Sequence, residues 1–80
     1  MKCTVKLVWD NDSNAWFTET KDIPGLHLNS QNFDKLVEKV RIAAPEMLEE
    51  NLDYIGPVHI IFEAEKIVSS AAKPDESVAV

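Results

Sequence analysis

The chain has 80 residues, of which 45% are hydrophobic and 28% charged, a composition typical of one small globular domain. Fourteen acidic residues against eight basic ones give a formal net charge of −6, which disfavours nucleic-acid phosphates and favours a cationic protein partner. The single cysteine excludes an internal disulfide and a zinc site built on a cysteine pair. Neither an apolar run of roughly 18 residues nor a signal sequence is found, so we expect a cytoplasmic protein.

The first 20 residues predict a β-hairpin. Apolar residues alternate with mostly polar ones from Cys3 to Trp9, which is the period of a strand with one buried face. Residues 10–14 all favour turns, and residues 15–20 are rich in aromatic and β-branched side chains. We therefore expect two antiparallel strands joined by a loop at residues 10–14.

A tight turn follows the hairpin in the run Asp22-Ile23-Pro24-Gly25-Leu26. Pro24 fixes its own φ and holds Ile23 in an extended conformation, and Gly25 can adopt the positive φ that a type II turn requires at its third residue. We interpret Asp22, Ile23, Pro24 and Gly25 as a structural turn. A short third strand is expected at residues 26–28.

An amphipathic helix is predicted to begin at Phe33, with Asn32 as its N-cap. From Phe33 to Leu48 apolar residues recur at three- and four-residue intervals. Pro45 lacks an amide proton, so we expect a kink or break near Ala44 and a short second helical segment that stops near Asn51. Alternation from Val58 to Ala64 predicts the last strand.

The element order β-β-β-α-β predicts an α+β fold, a four-stranded mixed sheet with one face covered by a Pro45-kinked helix. The crossover through the helix is expected to leave the third and fourth strands parallel. The folded domain is expected at residues 1–67. Residues 68–80 are small, polar and without pattern, so we expect a disordered C-terminal tail.

Several side chains have the chemistry of a metal site or a nucleophile. Carboxylates at the turns and on the helix could hold magnesium, although Asp in a turn is more often a local hydrogen-bond acceptor: Asp10, Asp12, Asp22 and Glu46. Cys3, His27 and His59 do not recur at ligand spacing. We expect Cys3 to be a core residue, and we expect no catalytic, metal or cofactor-binding residue.

Three further sets of residues could form contact surfaces. Trp9 and Trp16 could stack on bases, but few positive charges surround them, so core packing is the preferred interpretation. The acidic run on the helix is either a solvated face or a patch for a basic partner: Glu46, Glu49, Glu50 and Asp53. Val8 and Ile61 are expected on the sheet face opposite the helix, where they could mediate self-association.

The order of these motifs resembles the HicB-like antitoxin superfamily, and in particular a short branch of unknown function. The matching residues are Trp9-Asp10, Ala15-Trp16-Phe17-Thr18, the turn at residues 22–26, the N-capped helix and Pro45-Glu46-Met47-Leu48, so the resemblance covers roughly residues 1–67. It implies a partial RNase H-like fold, in agreement with the element order. It also implies a non-enzymatic protein that neutralises a small basic RNase toxin of HicA type.

Two alternatives to this implied function stay open. One is a stand-alone homo-oligomeric regulatory or structural module, and the other is a divergent metal-dependent nuclease. Longer HicB proteins commonly carry a DNA-binding domain after the sheet. Too few residues follow the last predicted strand here for such a domain, so DNA binding is not expected.

Overall fold

The computed structural model describes residues 1–70, which form one helix and a four-stranded mixed sheet, as the sequence predicts. The elements are β1 (Lys2–Asp10), β2 (Ala15–Glu19), β3 (Asn29–Ser30), α1 (Phe33–Leu52) and β4 (His59–Glu65). The strand order is β3-β2-β1-β4, with β1 antiparallel to β2 and parallel to β4, and β2 antiparallel to β3. Strands β3 and β4 therefore run parallel to each other, as expected from the crossover. Most of the predicted disordered tail lies outside the described residues.

The hairpin between β1 and β2 forms where the turn-favouring residues predict it. The Asp10 carboxylate accepts from the Ser13 hydroxyl (2.7 Å) and from the Asp12 amide (3.1 Å), and both contacts close the loop. Asn14 takes a left-handed conformation with φ of 55°, which asparagine tolerates. These hydrogen bonds lower the pKa of Asp10, the one from the Ser13 hydroxyl most strongly.

The third strand lies later in the chain than predicted, at Asn29–Ser30 and not at residues 26–28. The reason lies in Thr18 of β2, whose hydroxyl accepts the Leu28 amide at 3.0 Å while its own amide donates to the Leu28 carbonyl at 3.1 Å. The Thr18 hydroxyl thus takes the place of the backbone carbonyl that would accept the Leu28 amide in a regular strand pair. Regular pairing begins only where Phe17 meets Asn29.

Helix α1 begins at Phe33, as predicted, and runs to Leu52 without a break at Pro45. The Asn32 side chain accepts from the Lys35 amide at 2.9 Å, which confirms it as the N-cap. The predicted second helical segment is wrong, because residues before and after Pro45 belong to one helix. Pro45 and Arg41 are both exposed, so water can reach the Arg41 carbonyl that lacks an amide partner.

Replacement of Asn32 by alanine should lower the free energy of unfolding by about 1 kcal/mol, because the Lys35 amide loses its acceptor at the helix end. Chemical denaturation followed by tryptophan fluorescence measures the change. Replacement of the neighbouring exposed Gln31 by alanine is the matched control and should have almost no effect. Equal effects of the two substitutions would contradict the capping role.

One hydrophobic core fills the space between the helix and the sheet. Three of its members come from β1, two from the turn after β2 and four from the helix: Cys3, Val5, Leu7, Ile23, Leu26, Leu36, Val40, Ala44 and Leu48. The helical members lie at four-residue steps, so they form a single stripe that faces the sheet. Within residues 1–70, no helix combines the length and the apolar character needed to cross a bilayer.

Candidate functional site

The turn at residues 22–26 is part of the core as well as a chain reversal. The Leu26 amide donates to the Ile23 carbonyl at 3.3 Å and Gly25 has a φ of 83°, which confirms the predicted type II turn. Ile23 and Leu26 on either side are buried. The Asn51 side-chain amide donates to the Pro24 carbonyl at 2.9 Å, so the turn is fastened to the end of α1.

Asp22 completes the hydrogen bonding of β1 beyond the end of β2. The Thr4 amide donates to Asp22 Oδ2 at 2.7 Å, and the Thr20 hydroxyl donates to the Thr4 carbonyl at 2.6 Å. Two side chains thus take the place that a longer β2 would occupy. Asp22 is therefore a structural residue, as the sequence indicates.

The predicted acidic run forms one exposed stripe on the last two turns of α1. It is called the acidic patch here and consists of Glu46, Glu49, Glu50 and the C-cap residue Asp53, all exposed; Glu49 and Glu50 each lie three or four residues from Glu46 and from Asp53, on one side of the helix end. The last turn contains no basic residue, and the ion pairs found within residues 1–70, Lys6–Glu65 and Glu38–Arg41, do not involve the patch. Its negative charges also lie at the negative end of the helix dipole.

A small open notch lies beside the acidic patch, where the chain leaves α1 and turns toward β4. Its volume is about 190 Å³, and it is lined by the carboxylates of Glu46 and Glu49, by three apolar side chains, and by Tyr54 and Gly56; the apolar side chains are Pro45, Ile55 and Val58. The Tyr54 hydroxyl donates to the Pro57 carbonyl at 2.7 Å and thereby fixes the shape of this connection. The notch combines negative charge with apolar surface, which suits a long basic side chain.

The family model described as "Domain of unknown function (DUF1902)" matches residues 2–73, nearly the whole chain. The chain belongs to this family. It is also similar to a solved structure, the hypothetical protein TTHA1013 from the extremely thermophilic bacterium Thermus thermophilus. The two chains share 30% sequence identity with a TM-score of 0.74, over 88% of this chain and 100% of that one. Among curated proteins, no match is found.

The DUF1902 fold does not bring together the four carboxylates that could hold magnesium. Asp10 and Asp12 lie at the hairpin loop, and Asp22 lies beside Thr4, roughly 20 Å away along β1. Glu46 is on the exposed side of the helix. Within residues 1–70, no three His, Cys, Asp or Glu side chains form a group that could hold a metal ion.

The remaining candidate metal ligands are also apart. Cys3 is buried in the core, as predicted. Burial raises the pKa of its thiol, and the negative charge of the nearby Asp22 carboxylate raises it further, by a smaller amount. His59 begins β4 on the sheet face opposite Cys3, and His27 is exposed in the segment before β3. The DUF1902 chain therefore uses Cys3 as a small apolar residue.

Trp9 and Trp16 pack on the helix side of the sheet in an aromatic cluster. Trp16 meets Trp9 edge to face at 5.3 Å between ring centroids and meets Phe33 at 5.0 Å. The Trp9 indole N–H donates to the Asn11 side chain at 2.8 Å, and the Lys66 ammonium lies 4.5 Å from the Trp9 ring centroid. Trp16 packs against the core, in agreement with the preferred interpretation.

The sheet face opposite the helix, called the open face, carries Val8 and Ile61 as predicted. Within residues 1–70 no helix covers it, and the Ile61 side chain is 50% exposed. The open face also carries Phe17, paired directly with Val8 and 37% exposed, which sequence reasoning missed. The sequence contained the information needed, because neighbouring side chains of a strand point to opposite faces of the sheet. A Trp16 that packs on the helix side therefore places Phe17 on the open face.

Proposed function

We propose that this DUF1902 protein is a non-enzymatic, cytoplasmic antitoxin of HicB type that binds and neutralises a small basic RNase toxin of HicA type. The single observation that carries the proposal is the acidic patch, four exposed carboxylates on one side of the helix end. The motif order described above supports the same function. The net charge of the whole chain, −6, has the sign that a basic partner requires.

The position of the acidic patch is unfavourable for the helix itself. Negative side chains near a helix C-terminus repel the carbonyl end of the dipole, at a cost of roughly 0.3 kcal/mol or more each at low salt. Within the described residues, no positive side chain offsets this cost by ion pairing with the patch. A basic partner would neutralise these charges on binding, so the patch has a function in the complex that it lacks in the isolated fold.

Charge reversal at the patch, as Glu46→Lys with Glu49→Lys, should slow association with a purified HicA-like toxin by about tenfold or more, because the exposed carboxylates steer the encounter. Stopped-flow or surface-binding kinetics at low and high ionic strength measures the effect. Added salt should slow association more than dissociation in the wild type. The substitution should not unfold the protein, because lysine is favourable at this end of a helix.

The matched control is charge reversal at an exposed acid elsewhere, Glu19→Lys on β2. If Glu19→Lys slowed association as much as Glu46→Lys made alone, steering would come from net charge and the patch would not be the binding surface. Absence of binding between the wild-type protein and any HicA-like toxin, including a basic protein encoded by an adjacent gene, would overturn the proposed function itself.

A second candidate function, a stand-alone homo-oligomeric module, is favoured by one observation. The open face carries Val8, Phe17 and Ile61, and apolar side chains on an uncovered sheet face are typical of protein contacts. Light scattering with the toxin present separates the two functions. An antitoxin would form a complex of the two proteins, whereas a stand-alone module would elute as an oligomer of this chain alone.

A further inference from the structure

The two edges of the sheet are very different in length. One edge is β3, with two residues, whereas the other is β4, with seven. Among the described residues, β4 pairs with β1 and with no other strand, so its outer edge is open. Natural sheets usually protect a long edge with lysine, proline or a bulge, and the β4 sequence His-Ile-Ile-Phe-Glu-Ala-Glu contains neither lysine nor proline.

The direction of each amide in β4 follows from its pairing with β1. The His59 amide donates to the Met1 carbonyl at 2.8 Å, so His59 directs its backbone groups toward β1. Because successive residues of a strand direct these groups to opposite sides, Ile60, Phe62 and Ala64 direct theirs outward. Three amides and three carbonyls are thus available along the edge.

Apolar side chains concentrate around the same edge. Ile60 and Phe62 lie at the rim of the core and are only partly buried. The connection before β4 and the segment after it expose further large apolar residues, Ile55 at 82%, Ile67 at 72% and Val68 at 71%. Together with the open backbone groups, this surface suits another extended strand.

We propose that β4 pairs antiparallel with β4 of a second copy of this chain, across a two-fold axis at Phe62, to form one continuous eight-stranded sheet. In this register the outward-directed residues oppose one another, Phe62 with the partner's Phe62 and Ile60 with the partner's Ala64. All seven residues of each strand are paired. This inference is independent of the proposed antitoxin function.

The β4 sequence is self-complementary in this register. On the helix side every opposed pair is apolar, including an aromatic pair at the axis. On the open face His59 lies opposite the partner's Glu65, and Ile61 lies opposite the partner's Glu63. Moving the axis one residue toward the C-terminus would place Glu63 against the partner's Glu63, which is unfavourable. Moving it one residue toward the N-terminus would place Ala64 and Glu65 opposite residues 57 and 58, which precede β4, so only five residues of each strand would be paired.

Ala64→Pro tests the edge, because it removes an outward-directed amide without removing a core side chain or a hydrogen bond to β1. The wild type should sediment at twice the 9.0 kDa of one chain. Two hydrogen bonds are lost per dimer, so Ala64→Pro should raise the dimer dissociation constant by roughly thirtyfold. Ala64→Ser retains the amide and should leave it unchanged. Circular dichroism must show the same secondary structure in all three proteins.

A cysteine cross-link tests the register. His59 and the partner's Glu65 form a non-hydrogen-bonded pair, in which Cα atoms are about 4.5 Å apart and a disulfide fits. An equal mixture of His59→Cys and Glu65→Cys chains should therefore cross-link under mild oxidation, whereas His59→Cys mixed with Glu63→Cys should not.

A wild-type monomer at high concentration, or a dimer that Ala64→Pro leaves intact, would overturn the proposal. Cross-linking of the second mixture alone would overturn the register.

Discussion

Replacement of Leu48 by alanine is expected to lower the free energy of unfolding by roughly 2–5 kcal/mol. Leu48 has no exposed surface and closes the stripe of α1 that packs on β1 and on the turn at residues 22–26. Loss of its side chain removes buried apolar area and leaves a cavity at the point where three segments meet. For a domain of this size, such a loss is a large part of the total stability.

Replacement of Leu52 by alanine is the matched control for this prediction. Leu52 is on the same helix, one turn later, and is 48% exposed. The same chemical change should therefore cost less than about 1 kcal/mol. Urea denaturation followed by the fluorescence of Trp9 and Trp16 measures both variants. A similar loss in the two variants would mean that the end of α1 does not pack as described.

Replacement of Gly25 by alanine is expected to destabilise the protein by about 1–2 kcal/mol, because an L-residue at a φ of 83° is strained. A Cβ at this position would also lie 3.1 Å from the Asn51 side-chain nitrogen and 3.5 Å from the Met47 sulfur. The new methyl group would thus press on the side chain that fastens the turn to α1. The variant should unfold at lower denaturant concentration with an unchanged m-value.

The Asn51→Ala background separates the strain of the backbone from the contact. Asn51→Ala alone removes the hydrogen bond to the Pro24 carbonyl, so it should be destabilising by itself. In that background the crowding at the Asn51 nitrogen is gone, and Gly25→Ala should cost only the backbone strain. If Gly25→Ala cost nothing in either background, the positive φ of the turn would be refuted.

Local chemistry was sufficient to predict the elements whose ends depend on neighbouring residues. The Asn32 side chain binds an amide three residues away, and Pro24 with Gly25 determines the turn by its own backbone preferences. The hairpin loop closes through the carboxylate of Asp10. Each of these features depends on residues close in sequence, which a single sequence displays directly.

The predictions that failed depend on contacts between distant residues. The position of β3 is determined by the Thr18 hydroxyl, which occupies the Leu28 amide. The continuity of α1 through Pro45 is supported by core packing on both sides of the proline, because Val40 and Leu48 are buried in the same core against the sheet. Neither fact is visible in the local pattern, which gave a strand at residues 26–28 and a second helical segment.

The candidate surfaces were predictable only in part, for a similar reason. The acidic patch could be read from spacing along one helix, and the open face from alternation in two strands. The open edge of β4 could not, because it depends on the strand order β3-β2-β1-β4, which places the last strand at the outside. Strand order is a property of the whole chain.

The parallel pairing of β1 with β4 has a consequence for the newly made chain. Lys2 through Val8 pair with His59 through Glu65, so β1, which leaves the ribosome before the other strands of this sheet, has one side that stays unpaired until β4 has emerged. During that interval the growing chain can form the hairpin and the helix, but one edge of its most buried strand is open. The sheet can therefore close only after β4 has left the ribosome.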